Sequence, residues 1–177
     1  VILPGRMLWD KGVGEFVRVA KRIKAKNIKV RFVLVGDVDL DNPASIKQKQ
    51  IDKWVETGII EQWGRCDDME KIYKKCSIVC LPSYNEGLPK VLLEAGSSSR
   101  PIVAFDVPGC REVIKNKVNG FLVEFRDENA LETALTKLIN DKKLCEEMGK
   151  KGRKMVEKHF ASEIINVQTF NIWSELN

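Results

Sequence analysis

Two carboxylates, Glu86 and Glu94, lie eight residues apart in a segment that follows an apolar run. Pro89 falls between them, and proline favours the first turn of a helix, where the N–H that it lacks has no partner. Glu86 and Gly87 are therefore predicted in a strand-to-helix turn, with Glu94 about one and a half turns into the helix. This spacing sets one acidic side chain in a loop and a second one on the helix that follows.

The beginning of that predicted helix is suited to bind an anion. The backbone N–H groups of Lys90, Val91 and Leu92 would lack acceptors within the helix and would lie at the positive end of its dipole. Gly87 has no side chain, so a ligand can approach the backbone closely there. On residue types alone, a capping glutamate and a surface glutamate remain the alternative interpretation of the two carboxylates.

Two cations, Arg6 and Lys11, bracket a second loop, Gly5–Gly12, that follows the first apolar run. If both loops lie at one edge of a sheet, these side chains can converge on a phosphate, the arginine through its planar fork and the lysine as a point charge. Taken alone, the pair is also compatible with two solvated surface charges. The fold decides between these interpretations, because it determines whether the two loops meet.

Short apolar runs alternate with amphipathic stretches along the chain, which is typical of strand–helix–strand units and a parallel sheet. The runs are continuous rather than alternating, as in strands that are covered on both faces. The predicted strands are Val1–Pro4, Arg31–Val35, Ile60–Trp63, Ile78–Leu81, Ile102–Phe105 and Phe121–Val123. In such sheets ligands bind beyond the carboxyl ends of the strands, where both charged loops are predicted to lie.

We therefore expect an α/β protein with a Rossmann-like, doubly wound parallel sheet of six strands, flanked by helices, and two further helices at the C-terminus. Asp67 is predicted to cap a helix that runs through Lys75. The two C-terminal helices are predicted from about Asp141 to His159 and from about Ser162 to Leu176. The sequence contains neither Gly-x-Gly-x-x-Gly after the first strand nor Gly-Lys-Ser/Thr, so dinucleotide and P-loop sites lack their usual fingerprints.

The composition is that of one ordinary globular domain: 177 residues, of which 44% are hydrophobic and 31% charged, which excludes disordered and collagen-like classes. No apolar run approaches the ~18–20 residues of a membrane span. The densest basic run, Lys150–Lys154, has no aromatic neighbours to stack on bases, which argues against nucleic acid as a partner. Five cysteines without a Cys-x-x-Cys pair argue against a disulfide framework and zinc, and favour the reducing cytoplasm.

Together the two charged loops resemble the carboxyl-terminal domain of group 1 glycosyltransferases, the retaining family 4 with the GT-B fold. The signatures are Gly-Arg-(x)4-Lys-Gly at residues 5–12 and Glu-(x)7-Glu at residues 86–94, and Val35-Gly36-Asp37 and Asn119–Val123 also fit. The resemblance runs in order from about residue 1 to residue 160, so we expect a nucleotide-sugar-binding domain over 1–160. Residues 161–177 are expected to form a helix that packs on a preceding acceptor-binding domain.

The resemblance implies a role for each candidate residue. Arg6 and Lys11 would bind the diphosphate of the donor and stabilise the charge that develops on the leaving group. Glu86 would hold hydroxyl groups of the donor sugar, and Glu94 would accept hydrogen bonds from the ribose. Arg65, in the turn after the third strand, would border the nucleobase, although a plain surface role is an equal alternative. Further donor-binding groups would come from Gly87, Leu88, Lys90, Val91 and Leu92.

The implied activity is retaining transfer from a nucleotide-diphosphate sugar, a UDP-hexose or UDP-N-acetylhexosamine, to a glycan or a polyprenyl-diphosphate-linked acceptor. Leu8–Gly12 and Asp106–Glu112 resemble bacterial enzymes of capsule, O-antigen or glycan-oligosaccharide assembly. No cofactor and no obligatory metal are implied, so Asp37-Val38-Asp39 is interpreted as a loop. We expect a cytoplasmic protein, with a peripheral contact at the cytoplasmic face of the inner membrane left open. Without the family's acceptor-binding domain, the chain is expected to bind donor weakly and to transfer nothing.

Other classes of protein explain the same residues less well. Retaining glycoside hydrolases hold two carboxylates about 5–5.5 Å apart in the cleft, whereas here one is predicted in a loop and the other on a helix. A UDP-sugar 2-epimerase would be expected to add acid/base groups to the cleft, and His159 is the single histidine of the chain. A non-catalytic module that binds a sugar nucleotide fits the chain and remains the alternative.

Overall fold

The computed structural model describes residues 1–162, 164–166 and 173 of the chain. Its strands are β1 Ile2–Pro4, β2 Val33–Val35, β3 Glu61–Gln62, β4 Val79–Leu81, β5 Ile102–Phe105 and β6 Gly120–Val123. They form one sheet in the order β3-β2-β1-β4-β5-β6, and every neighbouring pair is parallel. The predicted six-stranded α/β architecture is therefore confirmed, and each strand begins and ends within two residues of its predicted bounds.

The central strands are buried along their whole length. Every residue of β1, β4 and β5 is buried, so these strands are covered by helices on both faces. The edge strand β3 has two residues, and both are only half-buried. This difference explains why the apolar runs of the sequence are continuous in the middle of the sheet and weaker at its edge.

The helices are α1 Val13–Ala25, α2 Gln48–Glu56, α3 Met69–Lys75, α4 Lys90–Ser97, α5 Pro108–Val113, α6 Glu128–Asn140 and α7 Lys142–His159. The chain moves from β1 to β2 in one direction and from β4 to β5 in the other, so the strand order reverses between β1 and β4. Right-handed crossovers in opposite directions place α1 and α4 on opposite faces, where α1 packs against α6 and α4 against α7. The reversal creates the crevice in which open α/β sheets bind ligands.

Two helix starts differ from their predictions by one residue. Asp68, not Asp67, caps α3, because its Oδ1 accepts from the backbone N–H of Lys71 at 3.3 Å. The Asp67 carboxylate instead accepts from the Arg65 side chain at 3.3 Å. Pro89 has an extended backbone (φ −72°, ψ 105°) and immediately precedes α4 rather than lying within its first turn. The prediction of a strand-to-helix turn around Glu86 is unaffected.

The C-terminal part of the chain is described as far as α7 and a few residues beyond it. The helix predicted over Asp141–His159 is confirmed as α7, which Asp141 caps by accepting from the N–H of Leu144 at 2.9 Å. The last predicted helix, from about Ser162 to Leu176, and its packing on another domain lie mostly outside the described residues and stay a prediction. Among the residues that the structure describes, no helix has the length and apolar character needed to cross a membrane.

Candidate functional site

The loops that follow β1 and β4 lie side by side at the carboxyl edge of the sheet, because these strands are neighbours. The backbone N–H of Tyr84 donates to the carbonyl oxygen of Asp10 at 2.8 Å. The buried hydroxyl of Ser83 lies 3.3 Å from the same oxygen. The structure therefore brings together the two charged loops that the sequence places 75 residues apart.

Two glycines allow the backbones at this edge to approach closely. Gly12 has a left-handed backbone (φ +71°), and a Cβ there would lie 1.9 Å from the carbonyl oxygen of Pro82. Gly109, at the start of α5, donates its N–H to the carbonyl oxygen of Glu86 at 3.2 Å. A Cβ at Gly109 would lie 2.2 Å from the carbonyl oxygen of Gly87. Gly109 therefore supports the Glu86–Gly87 turn, a contact that its place in a Pro-Gly turn did not reveal.

Lys11 and Glu86 meet at the centre of this edge. The Lys11 ammonium donates to Glu86 Oε1 at 2.7 Å, and the two side chains are 22% and 12% exposed. Cys110 is buried beside them, and its burial, together with the charge of Glu86, raises the pKa of the Cys110 thiol to about 12. The thiol is therefore protonated at neutral pH and is not a nucleophile. The charged groups that the site offers are the ammonium and the carboxylate.

Arg6 lies at the same edge but is turned toward the loop after β2. Its guanidinium donates to Asp39 Oδ2 at 2.7 Å, and the arginine side chain is 62% exposed. Ion pairs this exposed contribute about 0–1 kcal/mol, so the arginine can exchange its partner at little cost. The sequence predicts Asp39 only as part of a loop, and spacing alone does not indicate that it faces Arg6.

Asp37 anchors the turn that carries Arg65. Asp37 Oδ1 accepts from the backbone N–H of Arg65 at 2.9 Å, and the N–H of Gly36 donates to the carbonyl oxygen of Gly64 at 2.8 Å. The Arg65 side chain itself is 77% exposed and pairs with Asp67. Val35-Gly36-Asp37 was recognised as a motif without a role for its aspartate, and the structure gives that carboxylate a structural one.

The first turn of α4 faces the same edge, and it differs from expectation at one amide. The N–H of Leu92 donates to the carbonyl oxygen of Pro89 at 2.9 Å, because the turn after the proline is tight. The N–H groups of Lys90 and Val91 have no acceptor within the described part of the chain. Two amides, rather than the three expected, are therefore open to an anion at the positive end of α4. Leu88, just before them, is 51% exposed.

Glu94 is held on two sides. Its Oε2 accepts from the hydroxyl of Tyr73 at 3.1 Å, and its Oε1 lies 3.6 Å from the Lys90 ammonium. Tyr73 is 1% exposed. Its burial and, to a lesser extent, the charge of Glu94 raise the pKa of its hydroxyl above the ordinary range. The tyrosine therefore stays protonated and acts as a hydrogen-bond donor. Sequence reasoning selected Glu94 and missed Tyr73, which comes from a different helix.

Two adjoining grooves are bordered by part of this residue set. One of about 590 Å³ is bordered by Gly5, Arg6, Asp37 and Arg65, and one of about 830 Å³ by Tyr73 and Glu94. Met69 lines both grooves, so they meet at the start of α3. A third cavity of about 740 Å³ opens at the amino ends of the strands, around Val1, Cys76 and Arg100. None of the predicted site residues lines it.

Residues 1–155 match the family model described as glycosyl transferases group 1, and the chain belongs to this family. A capsular polysaccharide biosynthesis glycosyltransferase, CapM from Staphylococcus aureus, is 30% identical over 172 residues, which cover 97% of this chain and 43% of that protein. An N,N'-diacetylbacillosaminyl-diphospho-undecaprenol alpha-1,3-N-acetylgalactosaminyltransferase from Campylobacter jejuni is 34% identical over 144 residues, 81% of this chain and 36% of that protein. The chain thus spans less than half the length of these relatives.

Solved structures agree on the fold. A variant of S. aureus TarM in complex with UDP and sugar ligands superposes with a TM-score of 0.84 at 25% identity, over 96% of this chain and 34% of that one. The carboxyl-terminal domain of the group 1 protein LpcC from Francisella tularensis has a TM-score of 0.78 at 26% identity, over 91% of this chain and 86% of that one. The neighbours are GT-B glycosyltransferases, so the chain has the Rossmann-like fold of one half of a GT-B enzyme.

Proposed function

We propose that this chain is the donor-binding part of a retaining glycosyltransferase that takes a UDP-linked hexose or N-acetylhexosamine for the assembly of surface polysaccharide. The convergence of Lys11 and Glu86 carries the proposal. The two residues come from loops 75 residues apart and meet at the carboxyl ends of the strands, where α4 also begins with two N–H groups without an acceptor among the described residues. A cation, two N–H groups and a carboxylate in one place suit a ligand that carries a diphosphate next to a sugar.

The donor would lie along the edge with its parts matched to the groups that face them. The diphosphate would bind Lys11, Arg6 and the N–H groups of Lys90 and Val91. The sugar would lie at Glu86, where Gly87 and Leu88 add backbone contacts. The ribose would reach Glu94, and the base the turn that carries Arg65. The two adjoining grooves support the nucleoside part of this path, because one is lined by Arg6 and Arg65 and the other by Glu94.

The ion pair gives Lys11 and Glu86 linked roles. In the unliganded chain the ammonium neutralises the carboxylate at 2.7 Å. A diphosphate offers a stronger acceptor for Lys11, and once the lysine turns to it the Glu86 oxygens can accept hydrogen bonds from sugar hydroxyls. As the bond between the anomeric carbon and the phosphate oxygen breaks, negative charge grows on the diphosphate, where Lys11, Arg6 and the amides stabilise it.

Retention of configuration would follow if the acceptor oxygen attacks from the face that the diphosphate leaves. The new bond then forms on that face, and the proton of the acceptor hydroxyl passes to the departing phosphate oxygen. The step requires no nucleophile from the protein and, in this proposal, no metal or cofactor. Neither Asp37 nor Asp39 is assigned to a metal, because one anchors Arg65 and the other pairs with Arg6.

The acceptor would be bound by a part of the protein beyond this chain, because the chain spans less than half of its relatives. The Campylobacter relative is named for an undecaprenol-diphosphate-linked acceptor. By that analogy we propose a glycan or polyprenyl-diphosphate-linked acceptor, met in the cytoplasm by peripheral contact with the membrane. The chain by itself would then bind the donor and act as a sugar-nucleotide-binding module.

The proposal is tested by titrating the isotope-labelled chain with UDP, GDP and ADP and measuring the NMR chemical-shift changes of its amides. UDP is expected to move the amides of Lys90, Val91 and Lys11 most, and GDP and ADP to move them less. Shifts confined to the amino ends of the strands, around Cys76 and Arg100, or no response to any of the three nucleotides would contradict it. The Lys11→Met variant provides a second test. Its dissociation constant for UDP is expected to be about 10-fold or more above that of the unmodified chain.

A further inference from the structure

The hydrogen bond from the Tyr73 hydroxyl is shorter than the other contact that the described residues make with the Glu94 carboxylate, the one to Lys90. The tyrosine hydroxyl lies 3.1 Å from Glu94 Oε2 and also 3.1 Å from the carbonyl oxygen of Val91. The hydroxyl has one proton, and a carboxylate is the stronger acceptor of the two. The ring is 1% exposed, so the hydroxyl cannot turn out into solvent.

The other contact of Glu94 is weak. The Lys90 ammonium lies 3.6 Å from Oε1, and the lysine side chain is 87% exposed. Exposed ion pairs of this kind contribute little and constrain the geometry poorly. Oε2 therefore has a buried donor, while Oε1 has only the exposed Lys90 ammonium at 3.6 Å, and Glu94 lines the groove. A carboxylate fixed in this way presents its remaining lone pairs in one orientation.

We propose that Tyr73 is a positioning residue that orients Glu94 for two vicinal hydroxyl groups, and so makes the site select ribonucleotides over 2'-deoxyribonucleotides. The inference rests on the proposed function, because it needs the ribose of the donor at Glu94. It adds to that function a residue from a different helix and a substrate property, the 2'-hydroxyl. It also connects the two ends of the nucleoside, since α3 carries Tyr73 and begins just after the turn of Arg65.

The chain provides a matched control. Tyr84 is the second of its two tyrosines, and its hydroxyl donates to another glutamate, Glu15, at 2.9 Å. Tyr73→Phe and Tyr84→Phe therefore each remove one tyrosine–glutamate hydrogen bond and keep the ring. Only the first of these bonds involves Glu94, so a general effect of losing such a bond would appear in both variants.

The test compares the dissociation constants of UDP and 2'-deoxy-UDP, measured by calorimetry on the chain and its variants. The unmodified chain is expected to prefer UDP by about 10-fold, the value of a hydrogen bond to a charged group. Tyr73→Phe and Glu94→Gln are each expected to reduce the preference to about 3-fold or less, with a smaller loss of affinity for 2'-deoxy-UDP, which keeps only its 3'-hydroxyl for Glu94. Tyr84→Phe is expected to keep the full preference. The double variant Tyr73→Phe/Glu94→Gln should lose no more than Glu94→Gln alone, because both changes break the same unit.

The possible results separate the two claims. A full preference in Tyr73→Phe with a lost preference in Glu94→Gln overturns the role of Tyr73 and leaves the proposed function standing. Equal weakening of UDP and 2'-deoxy-UDP by Tyr73→Phe means a merely structural role and also overturns it. Equal binding of the two nucleotides by the unmodified chain removes the ribose from Glu94, and with it both the assignment of that residue and this inference.

A second measurement needs no folded Tyr73→Phe variant. The chain labelled with 3-fluorotyrosine has two fluorine positions, and Tyr84→Phe assigns them. UDP is expected to shift the Tyr73 resonance, and 2'-deoxy-UDP to shift it less than half as far. An equal shift with both nucleotides, or a shift of Tyr84 alone, would overturn the proposal.

Discussion

Replacement of Glu86 by glutamine is expected to change two affinities in opposite directions. The affinity for UDP should rise, and the affinity for a UDP-sugar relative to UDP should fall. Glu86 Oε1 and the Lys11 ammonium are 2.7 Å apart. With an effective dielectric constant of about 20, Coulomb's law sets an upper bound of about 6 kcal/mol on their attraction at that distance. Hydrogen bonds exchanged with water reduce the net value to about 1–2 kcal/mol. A diphosphate that recruits Lys11 must overcome this pair in the native chain, but not in Glu86→Gln.

Glu86→Gln is therefore expected to bind UDP about 5- to 30-fold more tightly than the native chain, as 1–2 kcal/mol implies. The same variant is expected to lose affinity for a UDP-sugar relative to UDP, because the amide accepts hydrogen bonds from sugar hydroxyls less strongly than the carboxylate. Calorimetric titration with UDP and with UDP-N-acetylglucosamine at one salt concentration measures both changes.

Glu61→Gln is the matched control for this prediction. It removes one carboxylate from a 2.6 Å ion pair with Arg31, which lines the cavity at the amino ends of the strands and not the grooves of the candidate site. Its affinity for UDP is expected to stay within about 2-fold of the native value. Unchanged or weaker UDP binding by Glu86→Gln would refute the reasoning, because Lys11 would then not be the group that the diphosphate recruits.

Three further predictions follow from contacts around the same edge. Asp39→Asn frees Arg6 from a largely exposed pair and is expected to raise UDP affinity about 2- to 5-fold in calorimetry. Gly109→Ala places a Cβ 2.2 Å from the Gly87 carbonyl oxygen, so thermal unfolding should reveal a loss of about 1–3 kcal/mol together with weaker UDP-sugar binding. The raised pKa of the Cys110 thiol, about 12, keeps it protonated, so iodoacetamide at pH 8 should leave it unmodified in the folded chain.

Each of these predictions has its own control. Asp41 lies in the same loop and is exposed, so Asp41→Asn removes an equal charge and should change UDP affinity less than Asp39→Asn. Gly152, on α7, leaves room for a Cβ at 3.6 Å, and Gly152→Ala should not destabilise the fold. Cys66 is only half-buried and should react before Cys110. Equal effects within any of these pairs would contradict the corresponding prediction.

The fold could be predicted from the sequence because each strand and helix has a recognisable pattern within its own segment. Continuous apolar runs of the length of a strand, separated by amphipathic stretches, describe strands buried on both faces, and all six were placed within two residues. The helix start at Asp68 was misplaced by one residue because Asp67 and Asp68 have the same capping chemistry. Only the backbone geometry distinguishes the two.

Only part of the candidate site could be predicted from the sequence. Parallel sheets place loops after neighbouring strands at one edge, so the two charged loops could be expected together. Which carboxylate faces which cation depends on contacts between segments far apart in the chain: Arg6 with Asp39 and Lys11 with Glu86. The tyrosine behind Glu94 comes from a different helix, and no spacing within one segment can indicate such a partner.

A crystal structure of the chain with bound UDP tests the central claim most directly. We expect phosphate oxygens within hydrogen-bond distance of the Lys11 ammonium and of the N–H groups of Lys90 and Val91, with the 2.7 Å contact between Lys11 and Glu86 broken. A nucleotide bound elsewhere, or one bound at this edge while that contact stays intact, would contradict the account.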